Sequence, residues 1–194
     1  MADGNLAPDN LIYSHRLRVV VLEVEMKFRS PDNEEVEAAL RKLGARKLSD
    51  ETIEDTYYNR QGTDFAASDE ALRLRKHMGR TELTYKGPRV NASTAKAREE
   101  LSVSLDDGLS ATRILERLGF EKFLTVRKRR AAYRLDALGI DVDDVEGLGQ
   151  FVELEILTDD VAGAEKLLDS IRESLPLGEK VNKTYLEMLI DSHV

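Results

Sequence analysis

The feature that most constrains the fold is a strict alternation of charged and apolar residues near the start of the chain. Every second position carries a charge, at Glu23, Glu25 and Lys27, and the positions between them are apolar. Because successive side chains of a β-strand point to opposite faces, the pattern predicts a strand over residues 18–29. An antiparallel strand commonly turns such a polar face to water, so this strand alone assigns no function.

Similar alternation recurs along the chain and predicts seven further strands. We place them over residues 45–58, 71–76, 82–86, 96–104, 121–135, 140–146 and 151–157. Apolar residues at helical spacing predict helices over residues 110–118 and 160–175, a short one over 183–190, and one after Ser30, with Ser30 as N-cap and Pro31 as first helical residue. Gly44 then ends this first helix in the left-handed conformation.

Two segments of the chain follow a similar plan. Residues 41–47 resemble residues 116–122, and each segment joins the end of a helix to a long strand. With short connections throughout, the simplest packing is an α+β fold of two pseudo-repeated halves, in which an eight-stranded antiparallel β-barrel is flanked by helices. We expect a flexible N-terminal extension over residues 1–16 and a single domain over residues 17–194.

The composition excludes several classes of function. The chain has 194 residues and a net charge of −8, which argues against binding to a nucleic acid polymer but allows a local basic pocket. It has no cysteine, so a thiol nucleophile and a zinc–thiolate site are excluded. Without a long apolar run or a signal-peptide pattern, we expect a cytoplasmic protein that makes no membrane contact.

The charged faces of the predicted strands raise the question of function. If the apolar faces pack against helices, the charged faces line the barrel, and such a lining must be paired, solvated or complemented by a ligand. Lysine and arginine neutralise phosphate, and clustered carboxylates hold Mg²⁺ or Mn²⁺, so a polyphosphate with a divalent metal would fit. Alternation leaves open a flat sheet with one salt-bridged face in solvent. The charged positions are Glu23, Glu25, Lys27, Arg73, Arg75, Lys86, Arg98, Glu100, Lys128, Arg130, Asp143 or Asp141, Glu153 and Glu155.

Eight short motifs occur in an order that resembles a known family. The first is E-x-E-x-K at residues 23–27, and the others lie at residues 55–58, 72–75, 84–88, 98–100, 128–133, 143–155 and 183–189. Over residues 20–190 the chain is similar to the CYTH family, which comprises class IV (CyaB-like) adenylyl cyclases and triphosphatases. The resemblance implies the family's eight-stranded triphosphate tunnel and, since members are often dimers, a possible homodimer.

The resemblance also implies roles for individual residues. Those that would bind the triphosphate are Lys27, Arg73, Arg75, Lys86, Arg98, Lys128 and Arg130. Those that would hold Mg²⁺ or Mn²⁺ are Glu23, Glu25, Asp143, Glu153 and Glu155, and the catalytic group would comprise Glu23, Glu25 and Lys27. Two structural alternatives stay open: Arg98 and Glu100 pair with each other, and Tyr57, Tyr133 and Tyr185 are packing residues with satisfied hydroxyls and not catalysts.

Three functions are compatible with this lining. In an adenylyl cyclase, the ribose 3′-hydroxyl of ATP attacks the α-phosphorus and expels pyrophosphate; the turn at residues 146–149 and the strand at 151–153 are most similar to this branch. In a triphosphatase, water attacks the terminal phosphorus of tripolyphosphate, thiamine triphosphate or a nucleoside triphosphate. The third is a non-catalytic polyphosphate- or nucleotide-binding module, which carboxylates in both halves disfavour. The expected partner in each case is a small-molecule triphosphate.

Overall fold

Antiparallel strands form one continuous sheet in this protein. The structure, a computed structural model, describes residues 22–63, 65–89 and 95–192. Its strands are β1 (Leu22–Arg29), β2 (Arg46–Arg60), β3 (Ala71–His77), β4 (Arg80–Lys86), β5 (Lys96–Leu105), β6 (Phe120–Leu135), β7 (Leu138–Val145), β8 (Gly149–Thr158) and β9 (Lys180–Val181). Its helices are α1 (Asn33–Lys42), α2 (Gly108–Arg117), α3 (Val161–Arg172) and α4 (Tyr185–Ser192).

The sheet closes on itself through β1. This strand pairs with β8 along its whole length and with β5 from Leu22 to Glu25. The ring order is β1, β5, β4, β3, β2, β6, β7 and β8, and the short β9 pairs only with β1, outside the ring. The predicted eight-stranded antiparallel barrel is therefore confirmed.

The start of the first helix differs from the sequence prediction. Ser30 is still engaged in the sheet, because its backbone N–H donates to the carbonyl of Gln150 at 3.0 Å. The helix therefore begins later, with Asp32 as N-cap, and the Asp32 side chain accepts from the backbone N–H of Glu34 at 2.8 Å. Gly44 follows the helix with a φ of +83°, as predicted.

The second helix begins two residues before the predicted Ser110. Asp107 is its N-cap and accepts from the backbone N–H groups of Leu109 and Ser110, each at 3.0 Å. The sequence prediction therefore placed the start of this helix too late.

The main core lies between the outer face of the barrel and the helices. Val24, Met26 and Phe28 of β1 are almost fully buried there, together with Leu40 of α1 and Leu168 of α3. Since the apolar face of β1 is covered by helices, its charged face turns into the barrel. The alternative of a flat sheet with one salt-bridged face in solvent is thereby excluded.

The predicted extension over residues 1–16, and residues 18–21 of the first predicted strand, lie outside the described residues. Within the described part of the chain, no helix has the length and apolar character needed to cross a membrane.

Candidate active site

The barrel encloses a cavity of about 710 Å³ that both halves of the chain line. A small barrel usually fills its interior with apolar side chains, but here the interior carries charges. Most of the sequence-predicted site residues meet in this cavity. They are Glu23, Glu25, Lys27, Arg73, Arg75, Lys86, Arg98, Glu100, Lys128, Arg130, Glu153 and Glu155, and Asp141 joins them.

Arg130 is the centre of one wall of the cavity. From β6, its guanidinium donates to Asp143 Oδ1 at 2.7 Å, to Glu153 Oε2 at 2.6 Å and to Asp141. Glu153 also pairs with Lys27, whose Nζ lies 2.8 Å from Oε1. Burial opposes a charge here, but the three carboxylates more than offset it and raise the pKa of Arg130. This wall is a connected, charged network.

Asp143 does not reach the cavity, unlike the other sequence-predicted metal ligands. Its side chain is fully buried, and its Oδ2 atom accepts from Lys128 Nζ at 3.1 Å and from the Tyr185 hydroxyl at 2.9 Å. Arg130 also donates to both carboxylate oxygens of Asp143. Asp143 therefore anchors two cations from behind the lining, and Asp141 is the aspartate of β7 that faces the cavity.

A buried arginine–aspartate pair supports the opposite wall. Arg75 of β3 donates from Nε and Nη2 to the two carboxylate oxygens of Asp55 on β2, at 2.7 and 2.8 Å. Burial alone would raise the pKa of Asp55, but these hydrogen bonds and the charge of Arg73 hold it below its ordinary value. Asp55 belongs to the motif at residues 55–58, but it was not among the predicted site residues. Membership of that motif was the signal, since acidic residues occur on both faces of this strand.

Lys86 and Arg73 complete that wall. Lys86 Nζ lies 2.8 Å from Glu23 Oε2 and 2.6 Å from Glu100 Oε2. Glu100 therefore pairs across strands, and the structure contradicts the alternative in which Arg98 and Glu100 pair with each other. Arg73 donates from Nη2 to Thr84 at 3.2 Å, while its buried Nε has no hydrogen-bond partner among the described residues. A buried cationic donor without an acceptor suits an anionic ligand.

Sequence reasoning missed a lysine beside the E-x-E-x-K motif. Lys96, at the start of β5, donates to Glu25 Oε1 at 3.4 Å, and Lys27 lies 3.6 Å from the same oxygen. Burial lowers the pKa of Lys96 and outweighs the attraction of Glu25. Lys96 lies two positions before Arg98, on the same face of the strand, so extending the alternation by one step would have found it.

Tyr185 of α4 does more than pack. Its ring lies 4.1 Å from Lys27 Nζ and 4.8 Å from Lys128 Nζ, measured to the ring centroid. Its edge contacts Phe151, with the ring centroids 5.1 Å apart. The ring therefore positions two of the predicted phosphate-binding lysines through cation–π contacts.

Negative charge accumulates at one place in the lining. Burial, and then the charges of Asp141 and Glu23, raise the pKa of Glu155 to about 8. Uncompensated carboxylate oxygens are ligands that suit hard divalent cations such as Mg²⁺ and Mn²⁺. In the described part of the chain, however, no three such groups converge into a preformed metal cluster.

Comparison with known proteins identifies the family. A family model described as the CYTH domain matches residues 22–185. This match covers most of the chain, so the protein belongs to the CYTH family.

Two curated relatives cover most of the chain. The protein named "Putative adenylate cyclase MJ0240" of Methanocaldococcus jannaschii is 36% identical over 173 residues, which cover 87% of this chain and 98% of that protein. The protein named "Adenylate cyclase CyaB" of Aeromonas hydrophila is 31% identical over 156 residues, which cover 79% of this chain and 76% of that protein.

Solved structures share the fold. The PH1819 protein of Pyrococcus horikoshii superposes with a TM-score of 0.78 at 34% identity, over 88% of this chain and 99% of that one. The protein described as "Putative adenylyl cyclase HpAC1" of Hippeastrum, with a dominant triphosphatase activity, has a TM-score of 0.67 at 18% identity, over 89% of this chain and 96% of that one. At that identity the second comparison shows the fold alone.

Proposed function

We propose that this protein is a divalent-metal-dependent enzyme that acts on a triphosphate, as a class IV adenylyl cyclase that converts ATP to cyclic AMP and pyrophosphate. The observation that carries the proposal is the set of cationic side chains that converge from both halves of the chain on one enclosed cavity. The names of the two curated relatives favour the cyclase.

The cations of the lining suit a triphosphate in number and in availability. Among the described residues the Arg73 Nε atom has no acceptor, and the carboxylate nearest to Arg98, that of Asp69, is 3.9 Å away. Lys96 holds Glu25 only at 3.4 Å. These three cations can bind phosphate oxygens without breaking a short ion pair, whereas Lys27 is also held by Glu153 at 2.8 Å. Neutralising charge on the departing pyrophosphate is what this reaction requires of them.

The carboxylates of the lining would hold the metal. Glu23, Glu25, Glu153 and Glu155 are the proposed ligands, with Asp141 in place of Asp143. When bound, a divalent cation supplies charge neutralisation at phosphate oxygens and lowers the pKa of an attacking hydroxyl. Lys27 and Arg130 fix the orientation of Glu153, and Lys86 fixes that of Glu23.

A triphosphatase is the second candidate, favoured by the activity described for the Hippeastrum structure. The same cations would bind the substrate, and water would attack the terminal phosphorus in place of the ribose hydroxyl attacking the α-phosphorus. The two reactions differ in where the nucleophile lies and in whether a base is recognised, and their products distinguish them.

Product analysis tests the proposal. The purified protein is incubated with ATP, and separately with tripolyphosphate, in Mg²⁺ or Mn²⁺, and products are resolved by chromatography and phosphorus NMR. Cyclic AMP with pyrophosphate is expected; orthophosphate with ADP, or with pyrophosphate from tripolyphosphate, would establish the triphosphatase instead. The exposed Glu34 of α1 offers a matched control. Glu34→Gln should keep the activity that Glu25→Gln loses. If both variants lose activity equally, the loss in Glu25→Gln does not show that the Glu25 carboxylate takes part in turnover.

A further inference from the structure

The tunnel has two unlike ends. One end lies where β2 finishes and where β3 and β6 begin, beside α4. Apolar side chains form much of the lining of this helix end: Tyr58, Phe65, Leu72, Phe123, Leu186 and Ile190. Asp69, Glu70 and Glu187 also line it, but Arg89 pairs with Asp69 and Glu187, and Glu70 accepts a hydrogen bond from Tyr85. The opposite, acidic end lies where β1 and β7 begin and where β3 and β8 finish, and it is lined by Glu23, Glu51, Glu82, Asp141 and Glu155, with His77 bonded to Glu51. The phosphate-binding cations lie between the two ends.

Phe123 owes its place in the lining to a β-bulge. Between β2 and β6, Tyr57 pairs with Leu124 but Tyr58 pairs with Lys122, so Phe123 has no partner in the ladder. A bulge of this kind redirects a side chain, and here Phe123 lines the cavity while its neighbour Leu124 packs against the buried cluster that contains Val126 and Tyr185. The Phe123 side chain remains 51% exposed. An aromatic face is thus open to solvent at the tunnel mouth.

The walls of this mouth are tied to each other. Arg89 pairs with Asp69, just before β3, at 2.7 Å and with Glu187 of α4 at 3.2 Å. Phe65 lies against Phe120, with ring centroids 6.3 Å apart. These contacts hold Phe65 on one side of the opening and Leu186 on the other, so the apolar mouth is a formed concave site rather than a set of isolated surface side chains.

We propose that the helix end is the binding site for the nucleobase of a nucleoside triphosphate, with Phe123 stacking on the base. The inference rests on the proposed function and adds the orientation of the substrate along the tunnel. The order along the tunnel is apolar, then cationic, then acidic, and the proposed metal ligands Glu25 and Glu153 lie among the cations. This order matches a base followed by phosphates, with a metal held by Glu25 and Glu153 beside the phosphates. The α-phosphate then lies nearest the helix end and the γ-phosphate nearest the acidic end. Tripolyphosphate, which has no base, would bind without this mouth.

Calorimetric titration with two ligands tests the site. ATP and tripolyphosphate are titrated into the wild type, Phe123→Ala and Leu157→Ala, in EDTA so that metal-dependent turnover is suppressed. Leu157 is the control, since it is 70% exposed and lies at the end of β8, at the other end of the tunnel. Stacking of a base on an aromatic side chain is worth about 1–3 kcal/mol, so Phe123→Ala should weaken ATP binding by about 5- to 150-fold. Tripolyphosphate binding should change less than about twofold, and Phe123→Tyr should retain ATP affinity.

The outcomes separate this inference from the proposed function. Unchanged ATP affinity in Phe123→Ala, or an equal loss for both ligands, overturns the nucleobase site and leaves the triphosphate tunnel standing. Equal ATP losses in Phe123→Ala and Leu157→Ala overturn it as well. If the wild type binds neither ligand in EDTA or with a divalent cation present, the proposed function itself fails, and the nucleobase site fails with it.

Discussion

Glu155 of β8 lies so close to Gly139 of β7 that a Cβ atom at position 139 would be 2.9 Å from Glu155 Cγ and 3.0 Å from its Oε1. Gly139 does not have a positive φ, so the position requires glycine for space and not for conformation. The absence of a side chain at Gly139 therefore fixes where one proposed metal ligand can lie.

Gly139→Ala should displace the Glu155 carboxylate. We expect turnover to fall about tenfold or more, since small misplacements of catalytic groups have effects of this size. The same clash should lower the melting temperature in the wild-type background, but not in Glu155→Ala, where the obstructing atoms are gone. Thermal unfolding of the two single variants and the double variant measures this coupling. Additive effects would show that the two residues do not interact.

The raised pKa of Glu155 makes a prediction for stability. In the unfolded chain this carboxyl loses its proton near its ordinary pKa of 4.5, but the folded protein keeps the proton up to about pH 8. The folded state therefore binds more protons across this interval, and the contribution of Glu155 to the free energy of unfolding falls as the pH rises from about 4.5 to 8.

Glu155→Gln removes this titration. Relative to the wild type, the variant should gain stability between pH 5 and pH 8 by about 1 kcal/mol or more, because one pKa unit corresponds to about 1.4 kcal/mol. Urea unfolding of both proteins at the two pH values measures the difference, and Glu34→Gln serves as the surface control. The same stability difference at pH 5 and pH 8 would show that Glu155 is ionised throughout.

The alternation of the sequence predicted the strands and most of the charged residues of the lining, but it left a flat sheet open as an alternative to the closed barrel. It could not distinguish Asp141 from Asp143, because both lie on the inner face and only the position of Tyr185 on α4 covers Asp143. Alternation also does not predict which charged residues form ion pairs with each other. Those pairs depend on the register between strands, which brings Glu100 to Lys86.

Phe123 marks a second limit of sequence reasoning. A strict period of two places alternate residues on opposite faces, but a bulge interrupts that period at a position set by the pairing of two long strands. No local signal in residues 121–124 predicts it. The pairing of β2 with β6 therefore sets the orientation of Phe123, the aromatic side chain on which the nucleobase proposal depends.

Two glutamates of the lining should respond differently to the same substitution. Glu153 is held by short ion pairs at 2.8 Å to Lys27 and 2.6 Å to Arg130, whereas Glu25 meets its lysines at 3.4 and 3.6 Å. Both Glu25→Gln and Glu153→Gln should abolish turnover. Only Glu153→Gln should also lower the free energy of unfolding, by about 3 kcal/mol, because it leaves two buried cations without their shared carboxylate. Denaturant unfolding of both variants distinguishes these effects, and equal stability would contradict the assignment.

Two aspartate–arginine ion pairs, one buried and one exposed, should contribute differently to the free energy of unfolding. Arg75 binds Asp55 through two hydrogen bonds inside the barrel, and Arg129 binds Asp50 in the same way outside it, at 2.8 and 2.6 Å. The Asp55 side chain is 3% exposed, whereas the Arg129 side chain is 62% exposed. Arg75→Ala should therefore lower the free energy of unfolding by about 3–5 kcal/mol, and Arg129→Ala by less than about 1 kcal/mol.

Removing both charges of the buried pair separates its structural role from its proposed binding role. In Arg75→Met combined with Asp55→Asn, the two charges of the pair disappear together, and Arg73 keeps Glu82 at 3.7 Å and Glu100 at 3.9 Å. Much of the stability lost in Arg75→Ala should therefore return. Affinity for tripolyphosphate should stay about tenfold or more below that of the wild type, because a phosphate-binding guanidinium is still missing. Calorimetric titration and urea unfolding of the double variant provide both quantities, with Arg129→Ala as the control that keeps its affinity. If affinity returns together with stability, Arg75 only holds Asp55 in place and does not bind the triphosphate.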